Sequence, residues 1–306
     1  MKVIHVIEAL GGGVYTYFKD LSHFMGQEGL KTNLETYIIY SDKRKEIIPE
    51  NILKEFSGQV ILIPLTMERE FRPFKDLKAT LKLRKIFTDI KPDVIHLHSS
   101  KAGVIGRWAN FLNFNHCKLF YTPHGYSFLR QDISKKKQCL FRFIEKYTQY
   151  FFGGITIACG DTEFEVAKKL GNSRLVRNGI DFKKVSKFHE NNASKKLTFG
   201  IVGRITAQKN PELFNEIALM FPQYNFIWIG DGELKHAISA ENIKITGWLF
   251  SPEEVYHCIN QTDVFLQTSL WEGLPIAVLE AMALRKPVVA TNVIGNKDIV
   301  IPNRSE

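Results

Sequence analysis

Two carboxylates, Glu272 and Glu280, bracket a segment whose local pattern favours an anion. The apolar run Val264-Phe265-Leu266 reads as a buried strand, Gly273 as a turn and Pro275 as the first turn of a helix. At such a helix start the first backbone N–H groups lack intrahelical partners and are partly positive, which suits a phosphate. A carboxylate repels a phosphate, so Glu272 and Glu280 would instead accept hydrogen bonds from neutral hydroxyls beside it. Hydroxyls next to a phosphate describe a sugar nucleotide. By itself the pair also suits a surface helix with one glutamate at each end.

Other groups of the right type recur at strand ends. The loop Gly203–Asn210 follows a strand, Thr198–Val202, and carries Arg204 and Lys209, which can clamp a diphosphate as a planar fork and a point charge. Two solvated cations on a surface loop explain them equally. Strand Val94–Leu97 runs into a loop, His98-Ser99-Ser100, and strand Leu119–Thr122 into Pro123-His124-Gly125. A lone histidine is usually structural, but His98 and His124 on adjoining strand-end loops suit a functional edge. Gly11-Gly12-Gly13 lies between strand Val3–Ile7 and helix Val14–Met25, where glycine lets backbone approach a ligand. It is not the GxGxxG fingerprint, and a plain tight turn fits it too.

These groups need a scaffold of alternating strands and helices. Thr36–Tyr40, Val60–Pro64 and Ile155–Ala158 are further strands. Phe74–Ile90 is a helix with Leu77, Leu81 and Phe87 near one face, and Asp161 caps a helix over Thr162–Lys169. A second round begins at Leu197, with helices Pro211–Met220 and Pro252–Ile259 and strands Phe226–Ile229, Ile243–Ile245 and Pro287–Ala290. Repeated strand–loop–helix units imply parallel sheets that take ligands at the strands' carboxyl ends. The chain has 306 residues, 44% of them hydrophobic, beyond the roughly 250–300 at which one core stops growing, so two domains are expected. The polar run Lys183–Lys196 suggests domains at 1–185 and 197–306 with a linker at 186–196.

Composition excludes several classes. Four cysteines without a CxxC pair or metal-ligand spacing to the nine histidines point to free thiols and no metal. The N-terminus is interrupted by His5 and Glu8 and reads as a first strand rather than a signal peptide. No stretch approaches the roughly 18 apolar residues of a membrane span, which leaves peripheral attachment. The net charge of +9 is concentrated in residues 1–185, which hold 30 of the 41 Lys+Arg and 19 of the 32 Asp+Glu. Only this charge suggests nucleic acid, which is not expected as a partner. Arg130–Phe152 interleaves basic and aromatic residues, as a membrane-interface helix or a core helix with a basic face would.

With these residues in place, the chain resembles a retaining glycosyltransferase of family 4, with the GT-B architecture of two facing Rossmann-like domains. The carrying motifs are VGRITAQKNP (Val202–Pro211), IGDGE (Ile229–Glu233) and EGLPIAVLEAMA, in which seven residues separate Glu272 from Glu280. HLHSSKAGVIGR (His96–Arg107) and YTPHGYSF (Tyr121–Phe128) resemble the subset that builds capsular and other surface polysaccharides. The resemblance implies that Arg204 and Lys209 hold the donor diphosphate, together with the helix start at Gly273-Leu274-Pro275. It gives Glu280 the ribose, Glu272 the donor sugar and Gly12 and Gly13 the donor phosphates, and it sets His124 near the reacting sugar. It implies a UDP-sugar donor, a saccharide or polyprenyl-linked acceptor, a front-face displacement and no metal or other cofactor. The enzyme would be cytoplasmic or peripheral at the inner face of the plasma membrane, in contact with anionic lipid.

Two departures accompany the resemblance. Family members continue past Asn296–Val300 into a strand and terminal helices, whereas this chain stops at Glu306, so an incomplete C-terminal domain is expected. Position 298 is Asp where Glu is usual. The alternatives are a non-catalytic GT-B chain that binds nucleotide sugar or membrane, and a GT-B sugar-nucleotide epimerase.

Overall fold

The computed structural model describes residues 1–8, 10–41, 49–68, 70–113, 117–190, 196–249 and 251–301. It contains two units, each built on a parallel sheet, as the strand–helix alternation requires. The first sheet comprises β1 (Lys2–Ile7), β2 (Glu35–Tyr40), β3 (Ile61–Pro64), β4 (Val94–His98), β5 (Lys118–Thr122), β6 (Ile155–Ala158) and β7 (Ser173–Leu175) in the order β3-β2-β1-β4-β5-β6-β7. Its helices are α1 (Gly13–Thr32), α2 (Pro49–Glu55), α3 (Pro73–Ile90), α4 (Ser100–Leu112), α5 (Lys135–Phe152) and α6 (Asp161–Lys168).

The second sheet contains β8 (Thr198–Val202), β9 (Asn225–Ile229), β10 (Ile243–Ile245), β11 (Val264–Gln267) and β12 (Val288–Ala290) in the order β10-β9-β8-β11-β12. Its helices are α7 (Phe182–Ser186), α8 (Pro211–Met220), α9 (Pro252–Asn260) and α10 (Ile276–Ala283). In both sheets the strand order reverses beside the first strand, at β1/β4 and at β8/β11. A doubly wound sheet leaves a crevice for ligands at that reversal, because the loops on either side of it diverge.

Sequence chemistry accounts for the helix ends. Asn33 and Lys91, both in the left-handed region, stop α1 and α3. Pro211 starts α8 behind the Asn210 cap, and Ser251 and Glu254 form a capping box ahead of α9. α6 is capped by Gly160 rather than Asp161, which is already helical. α3 buries Ala79, Thr80, Leu83 and Phe87, whereas Leu77 and Leu81, read near the same face as Phe87, are exposed. Small Ala79 and Thr80 face the core of this unit, and the larger leucines are left outside.

The units divide at Val176/Arg177, and Leu129–Ser134 groups with the second unit although it lies between β5 and α5. The linker expected at 186–196 therefore needs correction. Val185 on α7 is buried in the second unit's core, and Phe188 O accepts a hydrogen bond from Asn260. Residues 177–190 are part of a folded unit; 191–195 lie outside the described residues.

α5 is amphipathic in the inverted sense. It buries Glu145, Thr148 and Gln149 and exposes Leu140, Phe143, Tyr147, Tyr150 and Phe151. Its polar side is accommodated by Arg107 of α4, which is 1% exposed. Arg107 donates to Gln149 Oε1 at 2.5 Å and to Gly153 O at 3.1 Å, and its guanidinium lies 4.3 Å over the Tyr121 ring. Glu145 Oε1 accepts from Ser100 at 2.7 Å and from Tyr121 at 2.8 Å, and burial raises its carboxyl above the usual range. Replacing Arg107 by alanine removes the donor to Gln149 Oε1 and Gly153 O and the cation facing the buried Glu145 carboxyl. Arg107→Ala should lower unfolding stability by roughly 3 kcal/mol or more, read from urea denaturation midpoints.

Candidate functional site

In the second unit the polar residues expected to bind a nucleotide gather at the β8/β11 reversal. The loop Gly203–Asn210 leaves β8, and Thr268–Pro275 leaves β11 and leads into α10. Leu270 N donates to Gln208 O at 2.8 Å, and the Thr268 hydroxyl donates to Lys209 O at 2.7 Å, so the two loops form one body. Gly203, Gly230 and Gly232 permit the close approach: a Cβ on Gly230 would collide with Gly203 O, and one on Gly232 with Ile205 O. Pro275 is extended and caps α10 from outside instead of forming its first turn.

Glu272 lies at the centre of this body and is 6% exposed. Its Oε1 accepts from Lys209 Nζ at 2.7 Å, Ser269 Oγ at 2.7 Å and Gln267 Nε2 at 3.0 Å, and its Oε2 accepts from Gln208 Nε2 at 3.0 Å. A buried carboxylate is tolerated only when paired and hydrogen-bonded, and this one is both. Lys209 and Glu272, expected from sequence to serve separate parts of a ligand, are bonded to each other. The ammonium has three donors and spends one on Glu272. Glu280, on α10, is also buried, and Arg204 is half-buried in the β8 loop. Gln208, Gln267 and Ser269 were not singled out from sequence; only their neighbourhood to Lys209 and Glu272 in two loops could have found them.

The first unit gathers a different chemistry. α1 begins at Gly13 after Gly12, which has φ 56° and no side-chain cap, and no acidic residue lies in the first turn. A Cβ at Gly12 would meet nothing within 4 Å. On the neighbouring strands, parallel register places His5 opposite His96 and His98 opposite Thr122 on one face of the sheet. His98 is the last residue of β4, not part of a loop, and is buried. It reaches both ways: His5 Nδ1 lies 3.1 Å from His98 Nε2, and His98 Nδ1 lies 3.1 Å from His124 Nε2. His124 Nδ1 lies 3.6 Å from Cys159 Sγ.

His124 occupies the left-handed region at φ 51°, a conformation costing about 1 kcal/mol or more in a non-glycine residue. The turn is held by Glu163, whose carboxylate accepts from Gly125 N at 2.8 Å and from Cys159 N at 2.7 Å. Sequence singled out His98 and His124, and the structure joins them. It gave no sign of His5, His96, Cys159 or Glu163 as their companions, because the companionship depends on strand order.

Comparison with known proteins places this geometry. The chain is similar to HepE from Anabaena, solved with UDP and glucose, with a TM-score of 0.74 and 18% identity over 98% of this chain and 83% of that one. It is 29% identical over 84% of its length to the Escherichia coli UDP-Gal:alpha-D-GlcNAc-diphosphoundecaprenol alpha-1,3-galactosyltransferase, covering 72% of that protein. A 41.2 kDa protein from the cps region of Klebsiella pneumoniae is 30% identical over 98% of this chain and 83% of its own. Two parallel sheets with polar residues at each reversal make this an α/β protein of the GT-B class. The family model for Glycosyltransferase Family 4 matches residues 11–184, and that for Glycosyl transferases group 1 matches 182–305. The chain belongs to glycosyltransferase family 4.

Loss of solvation pushes His5 and His124 down to about 4, and His96 and His98 well below the usual histidine range. For the fully buried His5 the sign is clear. The unfolded chain takes up a proton below pH 6.5, whereas the folded protein resists until about pH 4, so stability is complete above 6.5 and declines as pH falls through this window. His5 alone should account for about 3 kcal/mol of that decline. Urea midpoints at pH 7 and pH 4.5 should therefore diverge less in His5→Leu than in the wild type; equal divergence would show that His5 is not held neutral.

Proposed function

We propose that the chain transfers a sugar from a UDP-sugar to a lipid-linked saccharide, with retention at the anomeric carbon, in the synthesis of a surface polysaccharide. The observation that carries this reading is the buried Lys209–Glu272 pair, 2.7 Å apart in the fused loops at the β8/β11 reversal, beside Arg204 and the start of α10. The Escherichia coli relative is named for a UDP-Gal donor and a diphosphoundecaprenol-linked acceptor, which supports the choice of both substrates.

Lys209, with two donors beyond the one on Glu272, and Arg204, with its planar fork, would hold the diphosphate. Together they offset the charge that grows on the departing nucleotide, so the reading invokes no metal or other cofactor. The N–H groups at Gly273, Leu274 and Pro275's helix add partial positive charge. Preorganised donors of this kind act where charge develops in the transition state, and losing one costs on the order of a hundredfold in rate. Glu272 Oε1 is saturated by protein donors, so a sugar hydroxyl would use the second lone pair of Oε2. Glu280 would accept from the ribose. In the first unit the uncapped helix start at Gly12 and Gly13 suits the donor phosphates, and His124 is the group near the reacting sugar. In a front-face displacement the C–O bond to the leaving phosphate breaks as the acceptor oxygen bonds from the same side, and that phosphate takes the acceptor proton.

No helix among the described residues is long and apolar enough to cross a membrane. A lipid-linked acceptor then has to be met at the bilayer surface, and the outer side of α5 suits that. It presents Phe143, Tyr147 and Phe151 next to Lys135, Lys136, Lys137, Arg142 and Lys146, and α4 adds exposed Trp108 and Phe111. Aromatic side chains fit the headgroup boundary and the cations attract anionic lipid. The inner face of the plasma membrane is the location this reading assigns.

UDP at a hundred times its dissociation constant should stabilise the protein by about 2.7 kcal/mol, and Arg204→Ala or Lys209→Ala should abolish the thermal shift. No shift with any nucleotide would sink the proposal. Release of UDP from a panel of UDP-sugars should require a polyprenyl-linked saccharide. Cosedimentation with vesicles should rise with anionic lipid, fall with salt and be lost in a Phe143→Ser/Phe151→Ser variant; binding equal to neutral vesicles would remove the membrane assignment.

A further inference from the structure

The histidines on the inner face of the first sheet do more than fill space, because their contacts impose a proton order. Each neutral imidazole has one N–H and one lone pair, and each nitrogen-to-nitrogen contact needs one of each. His98 has both ring nitrogens engaged, at 3.1 Å to His5 and 3.1 Å to His124. A continuous chain His5–His98–His124–Cys159 can therefore exist in two senses only: every ring protonated on Nδ1, or every ring protonated on Nε2. The two differ at the inner end, where His5 Nε2 is buried without a partner among the described residues. With Nδ1 protonated, that end holds an unused lone pair; with Nε2 protonated, it holds an orphaned N–H, the rarer defect in folded proteins.

We propose that His5, His98 and His124 form a single polarised chain, each carrying its proton on Nδ1, and that His98 is the positioning residue that fixes the ring of His124. His5 donates to His98, His98 to His124, and His124 to the sulfur of Cys159. The rings are already arranged for it: His5 and His98 meet edge to edge with planes 28° and centroids 5.3 Å apart, and His98 and His124 with planes 24° and centroids 5.3 Å apart. Phe18 of α1 meets His98 edge-on at 4.6 Å, and Tyr17 meets His124 edge-on at 5.7 Å, so α1 packs against both rings. His96 stands beside the chain, its Nε2 at 2.8 Å from the Thr122 hydroxyl.

The same residues suggest a rival. One ligand atom each from His5, His96 and His98 lies within 4.8 Å of the others, as in a metal site. An ion there would have to take the His98 lone pair that the 3.1 Å contact with His5 otherwise uses, so a bound metal and the proton chain exclude each other.

The inference rests on the proposed role of His124 for its catalytic consequence, but not for its spectroscopic one. In the full chain labelled with 15N-histidine, two-bond proton–nitrogen correlations should show protonated Nδ1 and bare Nε2 in three rings, assigned with His5→Gln, His98→Gln and His124→Gln. This tautomer is the minor one in water. Finding Nε2–H on His98 or His124, or one equivalent of Zn2+ retained after dialysis and lost in His96→Gln, would overturn the chain. His98→Leu should lower kcat for sugar transfer about tenfold or more while the KM for the nucleotide sugar stays within about twofold, since misaligned groups lose rate rather than ground-state binding. His98→Asn, whose amide can still donate to His124, should recover most of the loss. A Leu variant with wild-type kcat and an undisturbed His124 tautomer would refute the positioning role. The UDP thermal shift, which depends on Arg204 and Lys209, should be unchanged in both variants; its absence from the wild type would instead count against the proposed function.

Discussion

The second unit depends on burying the carboxylate of Glu272. An unpaired carboxylate at that depth would be too costly to keep ionised, so the loops around it must supply donors, and they supply four. Lys209 and Gln208 come from the chain after β8, Gln267 and Ser269 from the end of β11 and its loop. The two loops are thereby held together by the charge they enclose. Glycines at 203, 230 and 232 remove the side chains that would keep the backbones apart. Fixed donors of this kind suit the electrostatic role proposed for Lys209, because donors that must reorganise during a reaction lose their advantage.

The first unit solves a similar problem with neutral groups. Its histidines are desolvated, and the carboxylate of Glu163 accepts from the backbone N–H groups of Gly125 and Cys159 beside His124. That bond stabilises a strained residue whose backbone would otherwise relax out of the left-handed region. The β8/β11 reversal thus gathers a buried ion pair, whereas the histidine cluster of the first sheet gathers neutral rings.

Much of this could be read from residue order. Both parallel sheets, most strands to within a residue or two, and the starts of α8 and α9 followed from apolar runs and proline positions, since these are local signals. Arg204, Lys209 and Glu272 were recognisable by type and spacing, but the bond between Lys209 and Glu272 was not, because it spans 63 positions and depends on β8 lying beside β11. The same holds for His5 and His98, 93 positions apart and joined only by the reversal between β1 and β4. α3 and α7 show the limit of periodicity. In α3 the core took Ala79 and Thr80 in preference to Leu77 and Leu81. Around α7 a lysine-rich run that reads as linker is docked by Val185, with Phe188 packed against the same core.

The hexapeptide Leu129–Ser134 has a consequence for how the protein can be taken apart. It belongs to the second unit although 42 residues of the first, Lys135–Val176, separate it from the rest. There the Gln131 side chain donates to Leu270 O at 2.9 Å, in the loop that carries Glu272. A single cut at Val176 would therefore release a second half that lacks a piece of its own loop support. The units are not modules in series, like beads on a thread, but are interleaved along the chain. Exchange of the second unit between relatives would have to carry this hexapeptide with it, so recombination at one junction is a poor route to a folded hybrid of this protein.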